Sequence, residues 1–133
     1  MKKYDAIIIS AGQAGVPLAR KLAEAGWKTA LVERRFIGGT CINDGCTPTK
    51  TMIASGKMAC HAGKSDHWGV EVESYRVNMP AVKRRKDEVV ASFREGAQKR
   101  LQMTDGLKLI FGEAKFTGPK KVKVCLSEGG KPK

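Results

Sequence analysis

Cys41 and Cys46 stand five positions apart within Gly38-Gly39-Thr40-Cys41-Ile42-Asn43-Asp44-Gly45-Cys46-Thr47-Pro48-Thr49-Lys50. Two thiols so placed are suited to thiol–disulfide exchange. A disulfide needs its Cα atoms within roughly 7 Å, whereas five residues of ideal helix rise about 7.5 Å. The two cysteines therefore cannot share one regular helix, and a bend must fall between them. Asn43-Asp44-Gly45 suits that bend, because Asn and Asp tolerate left-handed backbone and Gly takes positive φ without a Cβ clash. Thr47 then reads as a helix N-cap and Pro48 as the first helical residue, where proline's missing N–H is no loss. Cys46 accordingly sits at a helix N-terminus. The helix dipole and the Lys50 ammonium both favour a thiolate there, which is the nucleophile of the exchange. Two unpaired structural cysteines beside a turn are the bland alternative.

Thiols in this role need an electron source, and the residues upstream suggest one. Tyr4 to Ile9 is a short β-branched run, followed by Ser10-Ala11-Gly12-Gln13-Ala14-Gly15. A strand, a glycine turn and a helix in that order form the context of a dinucleotide fingerprint. Ala14, Leu18, Leu22 and Ala25 recur at near-helical spacing, Gly26 stops the helix, and Lys28 to Glu33 resumes an apolar strand. Glu33 closes this βαβ unit eighteen positions after Gly15, near where a carboxylate accepts from a ribose hydroxyl pair. Its bland reading is a solvated strand-end acid. Gly12 permits close approach to phosphates, and Gly15 lets the helix lie near the sheet. Ser10 replaces the first glycine of the fingerprint; if the turn needs positive φ, it carries roughly 1–2 kcal/mol of strain. Pro17 is close enough to the helix start to do little harm.

The run from Tyr4 to Lys50 resembles the amino-terminal FAD-binding region of the flavoprotein pyridine nucleotide-disulfide oxidoreductases, the group of dihydrolipoamide dehydrogenase, glutathione reductase and mercuric reductase. Gly-Gly-Thr-Cys, four residues, Cys, then Pro-Thr-Lys is specific to that group. The likeness returns at Gly112 to Gly118. It implies an α/β fold: a Rossmann-like FAD-binding βαβ core on a parallel sheet, long helices, and an antiparallel β-meander. It further implies FAD contacts at Gly12, Ala14, Gly15, Glu33, Gly39, Thr40 and Lys50, with the backbone at Ala114 touching adenine. Cys41 becomes the interchange thiol, Cys46 the thiol facing the flavin, and Lys50 the residue beside the reactive flavin nitrogen. Electrons would pass from NAD(P)H through flavin to a Cys41–Cys46 disulfide, and on to a small-molecule disulfide, a protein disulfide or a metal ion.

Against that family, 133 residues are few. A second glycine fingerprint for NAD(P)H, the later FAD-contacting aspartate and the carboxy-terminal His–Glu pair are not found in the sequence. The expectation is one truncated domain over 1–133: βαβ at 4–33, cysteine loop and helix at 38–63, helix at 79–102, strand at 107–111, meander at 114–133. Within it, Met52, Ile53, Met58 and Ala59 are the apolar residues of the first long helix. Asn78 caps the second, whose stripe is Val82, Val89, Val90, Phe93, Ala97 and Leu101. Lys121 to Leu126 alternates as a half-exposed antiparallel strand, and Gly129-Gly130 should turn into another. Missing domains supplied in trans, or a homo-oligomer, would complete the activity. The alternative is a non-catalytic nucleotide-binding remnant.

Lys and Arg number 25 against 13 Asp and Glu, for a net charge of +12. The basic residues are dispersed and only 6% of residues are aromatic, so a solvated face is favoured over a nucleic-acid groove. No apolar run is long enough for a signal peptide or a membrane span. Four cysteines without such a signal suggest the reducing cytoplasm. Cys60 and Cys125 read as buried small hydrophobes. Cys60, His61 and His67 lack paired ligand spacing, so no metal site is assigned.

Overall fold

The computed structural model describes residues 1–127. The chain runs β1 (Ala6–Ile9), α1 (Gly15–Glu24), β2 (Thr29–Glu33), α2 (Gly39–Asn43), α3 (Cys46–Ala62), a 3-10 turn (Ser65–Trp68), α4 (Met79–Gln102), β3 (Leu107–Gly118) and β4 (Lys121–Leu126). The four strands form one sheet in that order, with β1, β2 and β3 parallel and β4 antiparallel to β3. This is the expected α/β class. Ile8 pairs with Leu31 and Leu31 with Leu109, so one apolar row crosses three strands. Ala19, Ala97, Leu101 and Phe111 close over that row to make the core. The turn expected at Gly129-Gly130 lies outside the described residues.

Strand β3 joins two expected elements into one. Leu107 to Phe111 pair in parallel with β2, whereas Gly112 to Gly118 pair antiparallel with β4. A single strand thus carries the chain out of the nucleotide-type sheet and into the hairpin. Lys121–Leu126 is the half-exposed antiparallel strand that its alternation foretold.

Helix α1 corrects the expected apolar row. Ala19 and Ala23 are buried, while Leu18 is 51% exposed. The face against the sheet is Gly15-Ala19-Ala23, spaced by four, because residues at that spacing share one side of a helix. Small residues are required there: a Cβ on Gly15 would strike the Ser10 carbonyl. Leucine outweighs alanine in a hydrophobic count, so the periodicity pointed to the wrong side. The helix ends as expected at Gly26, with Trp27 N–H donating to Leu22 O at 3.0 Å.

Helix α4 has the expected bounds, and its Asn78 Oδ1 accepts from Ala81 N–H at 3.1 Å. Val90, Ala97 and Leu101 are buried, but Phe93 is exposed. On α3, Met52, Ile53 and Met58 are likewise exposed, and Thr51 is the buried residue. Arg85 of α4 reaches across to donate to the Thr51 carbonyl at 3.0 Å. The larger apolar side chains of α3 therefore lie on its exposed side, not on the side where Thr51 meets α4. Cys60 and Cys125, expected inside, are exposed.

Candidate functional site

Ser10 follows β1 with φ of 91°, so the turn does demand the left-handed region where serine is strained by about 1–2 kcal/mol. Ala14 then precedes α1 without a side-chain cap. Among the described residues, the N–H groups of Gln13, Ala14 and Gly15 make no backbone hydrogen bond. Free donors at the positive end of a helix favour an anion such as phosphate. Pro17, in the first turn, forfeits no bond there.

Glu33 is only 7% exposed and is not a solvated acid. Its Oε2 accepts from Ala11 N–H at 2.7 Å, and its Oε1 accepts from Arg35 N–H at 2.8 Å. The carboxylate thereby clamps the turn after β1 to the turn after β2. An ionised carboxylate offers about four acceptor positions, so two remain for hydroxyl donors. Glu33, Ser10, Gly12, Gly39, Thr40 and Asn43 border a cleft of about 320 Å³. A second depression of about 300 Å³ shares Ser10 and Glu33 with it and extends to Ala114.

The cysteine segment is fastened to this cradle. A Cβ on Gly39 would lie 2.9 Å from Gly12 Cα, so backbone passes backbone without a side chain between. Gly38 N–H donates to Ala11 O at 2.7 Å, and Gln13 Nε2 donates to Gly38 O at 3.2 Å. Helix α2 carries Cys41, and Cys46 is the first residue of α3. The expected bend is therefore present, but its chemistry differs. Asp44 and Gly45 both have φ of −127°, and the positive values fall earlier, at Gly38 and Gly39. Gly45, not Thr47, is the N-cap. Asp44 N–H bonds to Thr40 O at 2.9 Å, which closes α2 and lets the next helix begin two residues later. Thr47 and Pro48 fall within the first turn of α3, where a missing N–H still loses no intrahelical bond.

Cys41 is half-buried, Cys46 is exposed, and both are free thiols. A side-chain hydrogen bond with Cys46 holds the Cys41 thiol above its ordinary range, with partial desolvation and the Cys46 charge adding to the effect; Lys50 opposes it. Cys41, in the middle of α2, and Cys46, which opens α3, thus stand on either side of the bend. Cys41, Cys46, Lys50, Ala14 and Gly15 lie outside the cleft lining, and α2 links the thiols to it. Three contributors were not foreseen. Arg94 of α4 stacks its guanidinium 4.6 Å from the Phe36 ring centre at the cleft edge. Arg35 pairs with Asp44 at 3.5 Å. Asn43, read only as a turn former, braces α2. Nothing in the sequence near Phe36 signals Arg94; the position of Asn43 between the cysteines was the available clue.

A strand, a glycine turn and a helix fastened to a segment with two cysteines five positions apart define an α/β domain of the dinucleotide-binding type. Residues 4–131 match the pyridine nucleotide-disulphide oxidoreductase family, and the chain belongs to it. It is 43% identical over 93 residues to dihydrolipoyl dehydrogenase of Chlamydia trachomatis, covering 70% of this chain and 20% of that protein. It is 36% identical over 121 residues to mercuric reductase of Staphylococcus aureus, covering 91% of this chain and 22% of that protein. The HOCl-induced flavoprotein disulfide reductase RclA from Escherichia coli, solved as its Cu(II) complex, superposes with a TM-score of 0.77 at 35% identity. That match covers 97% of this chain and 26% of RclA. The chain thus spans between 20% and 26% of the length of these three relatives.

Proposed function

We propose that this chain is the nucleotide-binding and dithiol portion of a flavoprotein disulfide oxidoreductase, with FAD in the cleft beside α1 and Cys41 and Cys46 as the exchanging pair. The observation that carries the reading is the placement of Cys41 on α2 and of Cys46 as the first residue of α3, across a short bend fastened to the glycine turn. Support for the cofactor comes from the backbone close approach at Gly39, the free N–H groups before α1, and the remaining acceptor capacity of Glu33. Gly12, Ala14 and Gly15 would hold the pyrophosphate, Glu33 a ribose, and Gly39, Thr40 and Lys50 the remainder, with Ala114 against adenine. FAD, when bound, supplies two-electron chemistry between NAD(P)H and a disulfide. NAD(P)H is given no site on these residues.

The chain's own part is thiol exchange. The Cys41 thiolate, whose formation the Lys50 ammonium aids against the larger opposing effect of Cys46, attacks one sulfur of a substrate disulfide; that S–S bond breaks, and one substrate thiolate leaves. The Cys46 thiolate then attacks the Cys41 sulfur and expels the second substrate sulfur. The substrate gains two electrons and two protons, and Cys41 and Cys46 end joined. A small-molecule or protein disulfide fits this course; a soft metal ion is the other substrate class that paired thiolates accept. The whole reaction uses further domains, in trans or from a second copy, in the cytoplasm.

Purification with added FAD tests the reading. Retained flavin absorbance, together with a 41–46 bond mapped after mild oxidation, is the expected result. A chain that neither binds FAD at saturation nor joins those cysteines would instead be a non-catalytic remnant.

A further inference from the structure

Asn43 lies at the end of α2 between the two cysteines, and its side chain ties that helix to the core. Its Nδ2 donates to the Ile37 carbonyl at 3.0 Å and to the Gly39 carbonyl at 2.8 Å. Both partners only accept, so the orientation of the amide is set by chemistry. Ile37 is 1% exposed and belongs to the core, whereas α2 has five residues and is too short to hold its shape unaided. The amide therefore fastens the last residue of α2 to a fixed point ahead of its first. Among the described residues, no group donates to the buried Asn43 Oδ1. A residue present for packing alone would not carry that penalty.

We infer that Asn43 is a positioning residue that presents Cys41 to Cys46 and sets how readily the two join. The inference rests on the dithiol reading above. Closing a disulfide requires Cα atoms within roughly 7 Å and a narrow range of side-chain dihedrals. Releasing α2 from Ile37 spreads Cys41 over orientations that do not close, while leaving the sulfur exposed to outside reagents.

The test equilibrates the 133-residue chain with mixtures of reduced and oxidised glutathione, quenches with acid and maps the 41–46 bond by mass spectrometry. The mixture at half-closure gives the effective concentration of the pair. Asn43→Ala and Asn43→Asp are each expected to lower it by about tenfold or more, as small misplacements of reacting groups do. Asn43→Asp keeps the volume of the side chain but offers the two carbonyls no donor at neutral pH. Asn78→Ala, which removes only the cap bond of α4, reports general destabilisation and is expected to leave closure unchanged. Undiminished closure in both Asn43 variants overturns the inference, as does an equal loss in Asn78→Ala. It also falls if both Asn43 variants unfold while Asn78→Ala stays folded. A parent chain that never forms the 41–46 bond is a different failure, because it removes the dithiol reading itself.

Discussion

The turn after β1 and the bend between the cysteines touch one another but are held by opposite means. In the turn, backbone meets backbone: Gly15 lies on the Ser10 carbonyl, Gly39 on Gly12, and the buried Glu33 carboxylate clamps Ala11 to Arg35. In the bend, Cys46 is exposed, Cys41 is half-buried, and the side-chain hydrogen bonds that tie the end of α2 back to Ile37 and Gly39 come from one amide, that of Asn43. The contrast follows from what each region must do. Under the proposed function, donors that grip a phosphate must stay fixed, whereas sulfurs that change partners must be reached and must move. Stability and reactivity therefore reside on different residues, and substitutions should pull them apart.

The largest effect is expected in the turn. Gly15→Ala forces a methyl into the Ser10 carbonyl and should cost about 3 kcal/mol or more in urea unfolding; an unchanged midpoint would mean that α1 is not pinned to the sheet. Glu33→Gln turns an amide donor toward a backbone N–H and should cost about 1–3 kcal/mol, with the same measurement deciding. Ser10→Gly relieves a left-handed serine and should stabilise by about 1 kcal/mol after the added flexibility of the unfolded chain is counted. A loss of stability there would show that the hydroxyl, not the backbone, matters.

The smallest stability effect belongs to the bend. Cys46→Ala should change unfolding by less than about 0.5 kcal/mol, as exposed substitutions do. The same change removes the main cause of the raised Cys41 pKa, so Cys41 ionises at lower pH. At a fixed mildly alkaline pH its thiolate fraction rises, and its alkylation, followed peptide by peptide, should speed up. An unmoved alkylation profile would deny that the sulfurs interact. A large unfolding penalty would erase the contrast between the two regions.

Local chemistry made several features legible in advance. Asn78 before Pro80 marked the start of α4 to the residue, and Asp105-Gly106 ahead of Leu107 marked the entry to β3. The spacing of Cys41 and Cys46 was enough to require a bend. Faces were harder to read. Ala19 and Ala23, not Leu18, line the core because the closeness of α1 to β1 selects small side chains. Thr47 has good capping chemistry but yields to Gly45, since the closure of α2 on Thr40 determines where α3 can begin.

From the order of residues alone came the βαβ unit, the two-cysteine helix entry and the family likeness, because each depends on neighbours a few positions apart. Folding in three dimensions decided the rest. It buried Glu33 between two turns, set the Asn43 amide on Ile37, stacked Arg94 on Phe36 and divided the two cysteines between adjoining helices. These contacts join residues whose approach depends on how helices and strands pack, and packing is a property of the whole chain that no short window of sequence contains.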